Sequence, residues 1–246
     1  MLKCGTRSIV VAVLAVQVCT LLILLLSAGV AGAANTVLFS DDFETAFAGW
    51  TTSGKAVWST TSPVIGTHDI KLGKRSTIQH TVSTVGWQDI TVSFYLGAIL
   101  KKSGSTMDAL WFDGATWTVL QQIHRTDADA DGTLHSYQFA LPAAAANNSK
   151  FAIRFRLNSN FPGDSGYVDN VSVSAGGHYL YTLSLTGTGG SVDVDGTAQT
   201  LPWSGTFEYG STVALQAVAD TGYHFTGWSG ALAGTANPTT ILIYGN

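Results

Sequence analysis

The chain contains little cysteine: Cys4 and Cys19 are its two cysteines, and both lie near the amino terminus. Everything after Cys19 therefore lacks disulfide bonds, a thiolate nucleophile and cysteine-ligated zinc. About 210 residues follow the amino-terminal segment, which is enough for one domain of ordinary size and a smaller one. The stability of both must come from their apolar cores.

Basic residues are also scarce. The chain has 12 Lys and Arg against 16 Asp and Glu, and residues 179–246 contain no Lys or Arg but four acids. Such a surface repels phosphate backbones, so the composition predicts no nucleic-acid partner. Acidic loops in a cation-rich exterior favour calcium instead.

The groups that catalysis needs are missing or isolated. The six histidines occur singly, without the spacing of a zinc hydrolase, and the two glutamates, Glu44 and Glu208, lie far apart. A glycosidase needs a positioned pair of carboxylic acids. Ser165, in the turn Gly163–Gly166, has no histidine in a recognisable protease context, and the turn itself explains these residues. The sequence predicts a non-catalytic protein.

What is present begins with a targeting segment. Lys3 and Arg7 precede an apolar run over residues 9–26, and small residues follow through Ala33 and Ala34. This order is typical of a secretory signal peptide, here residues 1–34, and places the folded part outside the cell or at its surface. The alternative is an uncleaved membrane anchor, because the apolar run approaches the length that spans a bilayer. Membrane contact is then expected through this segment alone.

Short runs with alternating polarity follow the segment, bounded by Gly, Asp, Asn and Ser, and no window shows helical periodicity. The Asp113-Gly114 pair predicts a hairpin, and Pro142 limits the alanine run after it to a single helical turn. We therefore predict an all-β sandwich over residues 35–174 and, where the basic residues end, a linker at 175–178. The predicted strands are Ile90–Leu96, Ala109–Phe112, Trp117–Ile123, Leu134–Leu141, Phe151–Leu157 and Tyr167–Val173.

The carboxyl-terminal quarter carries a specific motif. GYHFTGWSG at residues 222–230 precedes Pro-Thr-Thr at 238–240, after YTLSL at 181–185 and YGSTV at 209–213. Residues 179–246 thereby resemble the divergent internalin-type B repeat, a small β-rich unit of bacterial surface proteins. The resemblance implies a further strand beyond Asn246, so the repeat is expected to be incomplete. Phe225, Trp228 and Ile241 would then lie on a partly uncovered apolar face, although Trp228 itself is expected in the core of the unit.

Residues 37–174 resemble the galactose-binding-like and MAM-type jelly rolls, a group with many carbohydrate-binding modules. The resemblance rests on FSDDFE at residues 39–44, Gly49-Trp50, and YVDNVSV at 167–173. In such folds oxygens from both chain ends commonly enclose a structural calcium, which implies Asp42, Glu44 and Asp169 as ligands. Two residues apart on one strand, Asp42 and Glu44 would point to the same side. Ordinary solvated edge acids remain the alternative.

A second acidic run has the spacing of the opening of an EF-hand calcium loop: Asp127, Asp129 and Asp131, followed by Gly132. The twelfth position is Gln138 where a bidentate glutamate is expected, and predicted strands flank the run instead of helices. A hairpin loop rich in Asp and Gly needs no metal. The sequence favours a solvated loop.

Exposed aromatics are the remaining binding signal. Trp111 and Phe112 must face opposite sides of their strand, so one of them points away from the core, and Trp87 follows Gly86 ahead of its own strand. Trp87 and Trp111 are the candidate ligand contacts.

The sequence as a whole predicts an exported, non-catalytic, monomeric bacterial surface protein. Its jelly roll would bind an extracellular carbohydrate or protein surface, and its repeat would act as a spacer. Two alternatives remain open: the accessory region of a larger extracellular hydrolase whose catalytic domain lies beyond Asn246, and a structural tile with no ligand.

Overall fold

The computed structural model describes residues 11–15, 35–45, 48–61 and 65–244. It forms two compact units, which divide between Gly177 and His178. Most of the predicted signal peptide lies outside the described residues; within it, the backbone of Val11–Ala15 forms strand β1. None of the helical structure in the described ranges is long and apolar enough to cross a membrane.

The first unit is a β-sandwich, which confirms the all-β prediction. Nine strands form one sheet in the order β7-β6-β9-β4-β10-β5-β8, with β2 paired to β10 and β3 paired to β4. A single 3₁₀ turn, Ala143–Ala145, interrupts the strands, as the proline before it predicted. The strands are β2 (Thr36–Asp41), β3 (Thr51–Ser59), β4 (Asp69–Thr81), β5 (Trp87–Ile99), β6 (Thr106–Phe112), β7 (Trp117–His124), β8 (His135–Ala140), β9 (Ala152–Asn158) and β10 (Ser165–His178).

Alternation along the strands places one face in a common core. In β9, Ile153, Phe155 and Leu157 are buried, whereas Arg154 and Arg156 are half-buried on the opposite face. Two of the buried aromatic rings, Phe94 and Phe155, pack edge to face with their centroids 5.1 Å apart. The unit thus gains its stability from apolar burial without disulfides.

Residues 175–178, which the sequence predicts to link the two units, are extended in the structure. Strand β10 continues through these residues to His178, and Ala175 is buried in the core. A Cβ atom added to Gly176 would lie 2.9 Å from the Cβ of Asp89, so glycine permits a close approach to β5 there. The small residues Ala175 and Gly176 therefore allow this stretch to pack closely against β5.

The second unit contains three small antiparallel sheets. After β1, its strands are β11 (Leu180–Leu185), β12 (Gly190–Val194), β13 (Thr197–Thr200), β14 (Trp203–Glu208), β15 (Thr212–Ala219), β16 (Phe225–Gly230) and β17 (Thr239–Leu242). Strands β13-β12-β15-β17 form a four-stranded sheet, β11 pairs with β14, and β1 pairs with β16.

The residues of the repeat motif hold this unit together. Trp228 is 5% exposed in the core, and its Nε1 donates to the Ala236 carbonyl at 2.8 Å. The Asn237 side chain bonds both the N–H and the carbonyl of Ala217, which fixes the segment before β17. The core role of Trp228 is confirmed. The expectation of an uncovered face is wrong, because Trp228 and Ile241 are buried and Phe225 packs against the same core.

Candidate functional site

The solvent-facing side of strands β4, β9, β6 and β7, which we call the outer face, carries an unusual set of side chains. Directly opposed residues in antiparallel strands share a face, so the register defines its rows. At one end lie Thr81, Ala152, Phe112 and Trp117; next come Gln79, Arg154, Leu110 and Val119; then Thr77, Arg156, Asp108 and Gln122.

Aromatic and cationic groups are stacked at one end of the outer face. The Phe112 and Trp117 rings lie 5.0 Å apart and are nearly parallel. The guanidinium carbon of Arg154 lies 3.6 Å from the centroid of Trp117, within the range of a cation–π contact. Gln79 Oε1 accepts from Arg154 Nε at 3.1 Å and Nη2 at 2.6 Å. These contacts hold Trp117 in a defined position at the surface.

One apolar side chain in the middle of the outer face is exposed to water. Val119 is 47% exposed, whereas Leu110 beside it is only 5% exposed and therefore buried, although it lies outside the main core cluster. A solvated sheet face normally carries polar residues at such positions. Val119 is thus an exposed apolar side chain in the row next to the stacked Phe112–Trp117 pair.

A hydrogen-bonded ion pair occupies the third row. Asp108 is fully buried; its Oδ2 accepts from Arg156 Nη2 at 2.6 Å, and its Oδ1 accepts from Gln122 Nε2 at 2.9 Å. The side chain of Arg156 is 41% exposed and covers the carboxylate. These bonds satisfy the buried carboxylate and hold the side chains of Arg156 and Gln122 in fixed positions on the sheet.

The two aromatic residues that the sequence suggests as ligand contacts, Trp87 and Trp111, are not on the outer face. Trp111 is 5% exposed and packs against Phe151 in the core, so its neighbour Phe112 faces solvent instead. Trp87 is half-buried at the start of β5 and packs against the main core. Sequence reasoning placed one residue of the 111–112 pair outside, but it did not establish which. Trp117 was not singled out, although the Asp113-Gly114 hairpin pairs it with Phe112.

A second candidate site lies where strands β4 and β10 bring two carboxylates together. Asp69, at the start of β4, and Asp169, in β10, are both fully buried. Desolvation raises the pKa of Asp69 to about 7, and the charge of Asp169 adds to this rise. Desolvation likewise raises the pKa of Asp169 to about 6, with further contributions from the charges of Glu44 and Asp42. Their mutual repulsion disfavours ionising both.

The two carboxylates differ in their partners. Asp169 Oδ2 accepts from the Ile65 N–H at 2.9 Å, and Oδ1 accepts from the Asn170 N–H at 2.7 Å. Neither carboxylate oxygen of Asp69 has a hydrogen-bond partner among the described residues. Buried polar atoms without partners are costly. Two oxygens of this kind beside a second buried acid suit a hard cation that binds carboxylates and carbonyls.

The other two predicted ligands occupy different positions. Strand β2 ends at Asp41, so Asp42 and Glu44 lie in the following bend and not on the strand, which corrects the geometry expected for them. Asp42 is exposed. Glu44 accepts from the N–H groups of Thr67 and His68 and from the Thr67 hydroxyl, and these bonds hold its pKa below the usual value.

Glycine makes this arrangement of Glu44 possible. Gly66 has φ +86°, and a Cβ atom there would lie 2.5 Å from Glu44 Oε1. In the described ranges no three Asp, Glu or His side chains converge as a metal-binding group. A cation at the Asp69–Asp169 pair would need backbone oxygens and water as its other ligands.

The run from Asp127 to Asp131 forms the predicted hairpin loop, and each carboxylate there has its own partner. Asp127 accepts from the His124 N–H, Asp129 accepts from the Tyr137 hydroxyl, and Asp131 accepts from Thr133 and contacts His135. Hydrogen bonds from the Thr133 N–H and then His135 lower the pKa of Asp131 to about 2. The loop explains these acids without a metal.

Residues 181–244 match the family model of the divergent InlB B-repeat domain, which confirms the repeat prediction for those residues. No curated protein matches the chain. The MAM-type resemblance of the sandwich stays a prediction.

Several solved structures are similar to the chain. TmCBM61 in complex with β-1,4-galactotriose is 14% identical over 54% of this chain and 92% of its own, with a TM-score of 0.42. The K3 adhesin domain of Lys-gingipain from Porphyromonas gingivalis is 16% identical over 58% and 100%, with a TM-score of 0.42. The CBM22-1 xylan-binding domain of Paenibacillus barcinonensis Xyn10C is 13% identical over 60% and 99%, with a TM-score of 0.42.

Proposed function

We propose that the sandwich is a non-catalytic module of an exported protein and binds carbohydrate through its outer face. The stacked Phe112–Trp117 pair beside exposed Val119 is the observation that carries this proposal. Sugar rings present apolar C–H surfaces and a rim of hydroxyls, and an aromatic surface bordered by fixed polar groups complements both.

The polar neighbours support the same ligand class. Arg154 and Arg156 offer guanidinium donors, and the amides of Gln79 and Gln122 are held within the same rows. Their side chains are tied to the sheet by hydrogen bonds, so little conformational entropy is lost when hydroxyl groups bind. The repeat would serve as a spacer that presents the sandwich away from its point of attachment.

We further propose that calcium occupies the Asp69–Asp169 site and has a structural role. Asp69 and Asp169 would supply carboxylate oxygens from β4 and β10, while Glu44 would hold the loop at residues 65–68 against them. The ion would neutralise two buried acids and tie strand β4 to strand β10. It would not contact the glycan.

Affinity electrophoresis against a panel of soluble polysaccharides tests the binding role. We expect retardation by at least one glycan, and we expect Trp117→Ala to weaken that binding by about tenfold or more, the effect of losing a central aromatic contact. Tyr223→Ala is the matched control, because Tyr223 is an exposed aromatic in the other unit, 47% accessible. Equal binding by wild type and Trp117→Ala would rule out the outer face as the site.

A further inference from the structure

Beyond the far end of the outer face lies a polar groove with basic walls. Two neighbouring cavities of about 190 and 200 Å³ share Ser103, Gly104 and Ser105 of the β5–β6 loop as their common wall. Arg75 and Lys102 line the first, and Arg125 lines the second. We call these two cavities the basic groove.

The three basic side chains of the groove have no ion-pair partner among the described residues, although the buried Asp164 carboxylate lies behind the wall, where it accepts from Ser105 and Ser159. No carboxylate lines either cavity, and in the part of the chain that the structure describes no acid lies within ion-pair distance of Arg75, Lys102 or Arg125. The sandwich carries ten of the 12 Lys and Arg residues of a chain that is acidic overall. Three exposed cations lie around this one groove, and solubility alone does not explain their clustering.

The loop that separates the cavities is rigid. Ser105 Oγ and Ser159 Oγ donate to Asp164 Oδ2 at 2.7 and 2.6 Å, and the Lys101 N–H donates to Oδ1 at 2.7 Å. Asp164 is buried, so it organises the wall from inside. Arg75 has φ +49°, an uncommon conformation for a residue with a side chain, and its N–H donates to the Ser159 carbonyl at 2.8 Å. The groove thus exists before any ligand arrives.

The basic groove continues the outer face along the strands. Thr106 follows Asp108, Leu110 and Phe112 in the alternation of β6, and its cross-strand partners Asn158 and His124 line the two cavities. At about 3.3 Å per residue, Phe112 and Thr106 are roughly 20 Å apart along the strand. Thr106 Oγ1 is buried without a hydrogen-bond partner among the described residues. The row that joins the outer face to the groove therefore holds an unsatisfied hydroxyl.

We infer that the polysaccharide bound by this chain is acidic, and that the basic groove takes its carboxylate or sulfate groups while the Phe112–Trp117 end contacts a sugar ring. This inference rests on the proposed function and adds the charge class of the ligand. Arginine and lysine side chains, with serine hydroxyls and asparagine amides, form the usual donor set for such oxyanions. A single extended chain can span both ends because they lie on one face.

The test compares polysaccharides that share a backbone and differ in charge: polygalacturonate against its fully methyl-esterified form, and dextran sulfate against dextran. The full chain is titrated with each pair at fixed ionic strength. We expect a charged form to bind at least tenfold more tightly than its neutral counterpart, because each charge-assisted contact to an oxyanion contributes roughly one order of magnitude in affinity.

Two double variants carry the same change in net charge and separate the basic groove from general attraction. Lys102→Gln with Arg125→Gln should remove most of the preference for the charged form. Lys55→Gln with Lys150→Gln, at exposed positions outside the groove, should lower the affinity by less than twofold. All four side chains are exposed, so both proteins should fold, and equal melting temperatures verify this.

The possible outcomes decide between the two claims. Equal losses in both double variants, or no preference for a charged form, would overturn the acidic-ligand inference, while Trp117-dependent binding of neutral glycan would still support the proposed function. Unchanged affinity of Trp117→Ala for the charged polymer, with the charge preference retained, would support the groove and contradict the outer-face site. Displacement of the polymer by low concentrations of inorganic sulfate, or equally tight binding of single-stranded DNA, would assign the groove to another anion and overturn the inference.

Discussion

The two units differ most in what they bury. Every buried polar or charged residue in the described ranges belongs to the sandwich, among them Asp69, Asp108, Asp164 and Asp169. The buried residues of the repeat are apolar or aromatic, centred on Tyr181, Leu215 and Trp228. Buried polar groups reduce stability unless they are paired, so a domain that keeps several has a use for them. This difference supports the proposals that the sandwich binds the ligand and the ion and that the repeat has a structural role.

The largest effect is expected from a substitution that destabilises only the repeat. Trp228→Ala should destabilise this unit by about 3–5 kcal/mol, because it opens a cavity and leaves the Ala236 carbonyl without its donor. We expect calorimetry to show the loss of one transition and an unchanged transition for the sandwich. A single transition that shifts as a whole would contradict the independence of the two units.

Calcium should raise the stability of the sandwich, whereas Trp228→Ala lowers that of the repeat. At one hundred times its dissociation constant, calcium should stabilise the sandwich by about 3 kcal/mol, since it binds only the folded state. Asp169→Asn and Asp69→Asn should each abolish this gain in thermal melts with calcium or with a chelator. Asp195→Asn, in the repeat, is the control and should leave the gain intact. Identical melting temperatures with and without calcium would remove the site.

The pH dependence without calcium follows from the two raised pKa values. Asp69 titrates at 3.8 when unfolded and at about 7 when folded, so the folded state binds more protons between these values. The free energy of unfolding should therefore fall, by on the order of 2 kcal/mol, as the pH rises through this range in the presence of chelator. Asp69→Asn should weaken the dependence and leave the smaller contribution of Asp169. A free energy of unfolding that rises over the same range would contradict the buried pair.

The smallest expected effect concerns the acidic hairpin loop. Asp129→Asn should change the stability of the sandwich by no more than about 0.5 kcal/mol, because an amide oxygen can still accept from the Tyr137 hydroxyl. The calcium-dependent shift in melting temperature should be the same as in wild type. Loss of that shift in this variant would place the ion in the loop instead of at the Asp69–Asp169 pair.

The sequence predicted the strands well because alternation and turn residues are local signals. Phe151–Leu157 became β9, and Asp113 caps the turn between β6 and β7 by accepting from the Ala115 and Thr116 N–H groups. The position of Trp228 in the core followed from its motif. In each case neighbouring residues contained the whole pattern.

The candidate sites were less predictable because they depend on contacts between distant residues. Asp69 stands before an alternating run that looks like an ordinary strand, and its burial arises from the packing of β10 and the loop at residues 65–68. Trp117 is held in place by Arg154, which lies on β9, a strand that is not a neighbour of β7. Alternation alone cannot show which face of a strand is covered. The sequence therefore suggested Trp111 as a ligand contact, whereas the structure buries Trp111 and places Phe112 on the outer face.

The most direct test of the claim that the sandwich, and not the repeat, binds glycan is to measure glycan binding by two single variants of the whole chain side by side. The account predicts that Trp228→Ala, which unfolds the repeat, retains the wild-type affinity, whereas Trp117→Ala, which leaves both folds intact, loses about tenfold or more. Loss of binding in Trp228→Ala with retention in Trp117→Ala would contradict it and assign recognition to the repeat.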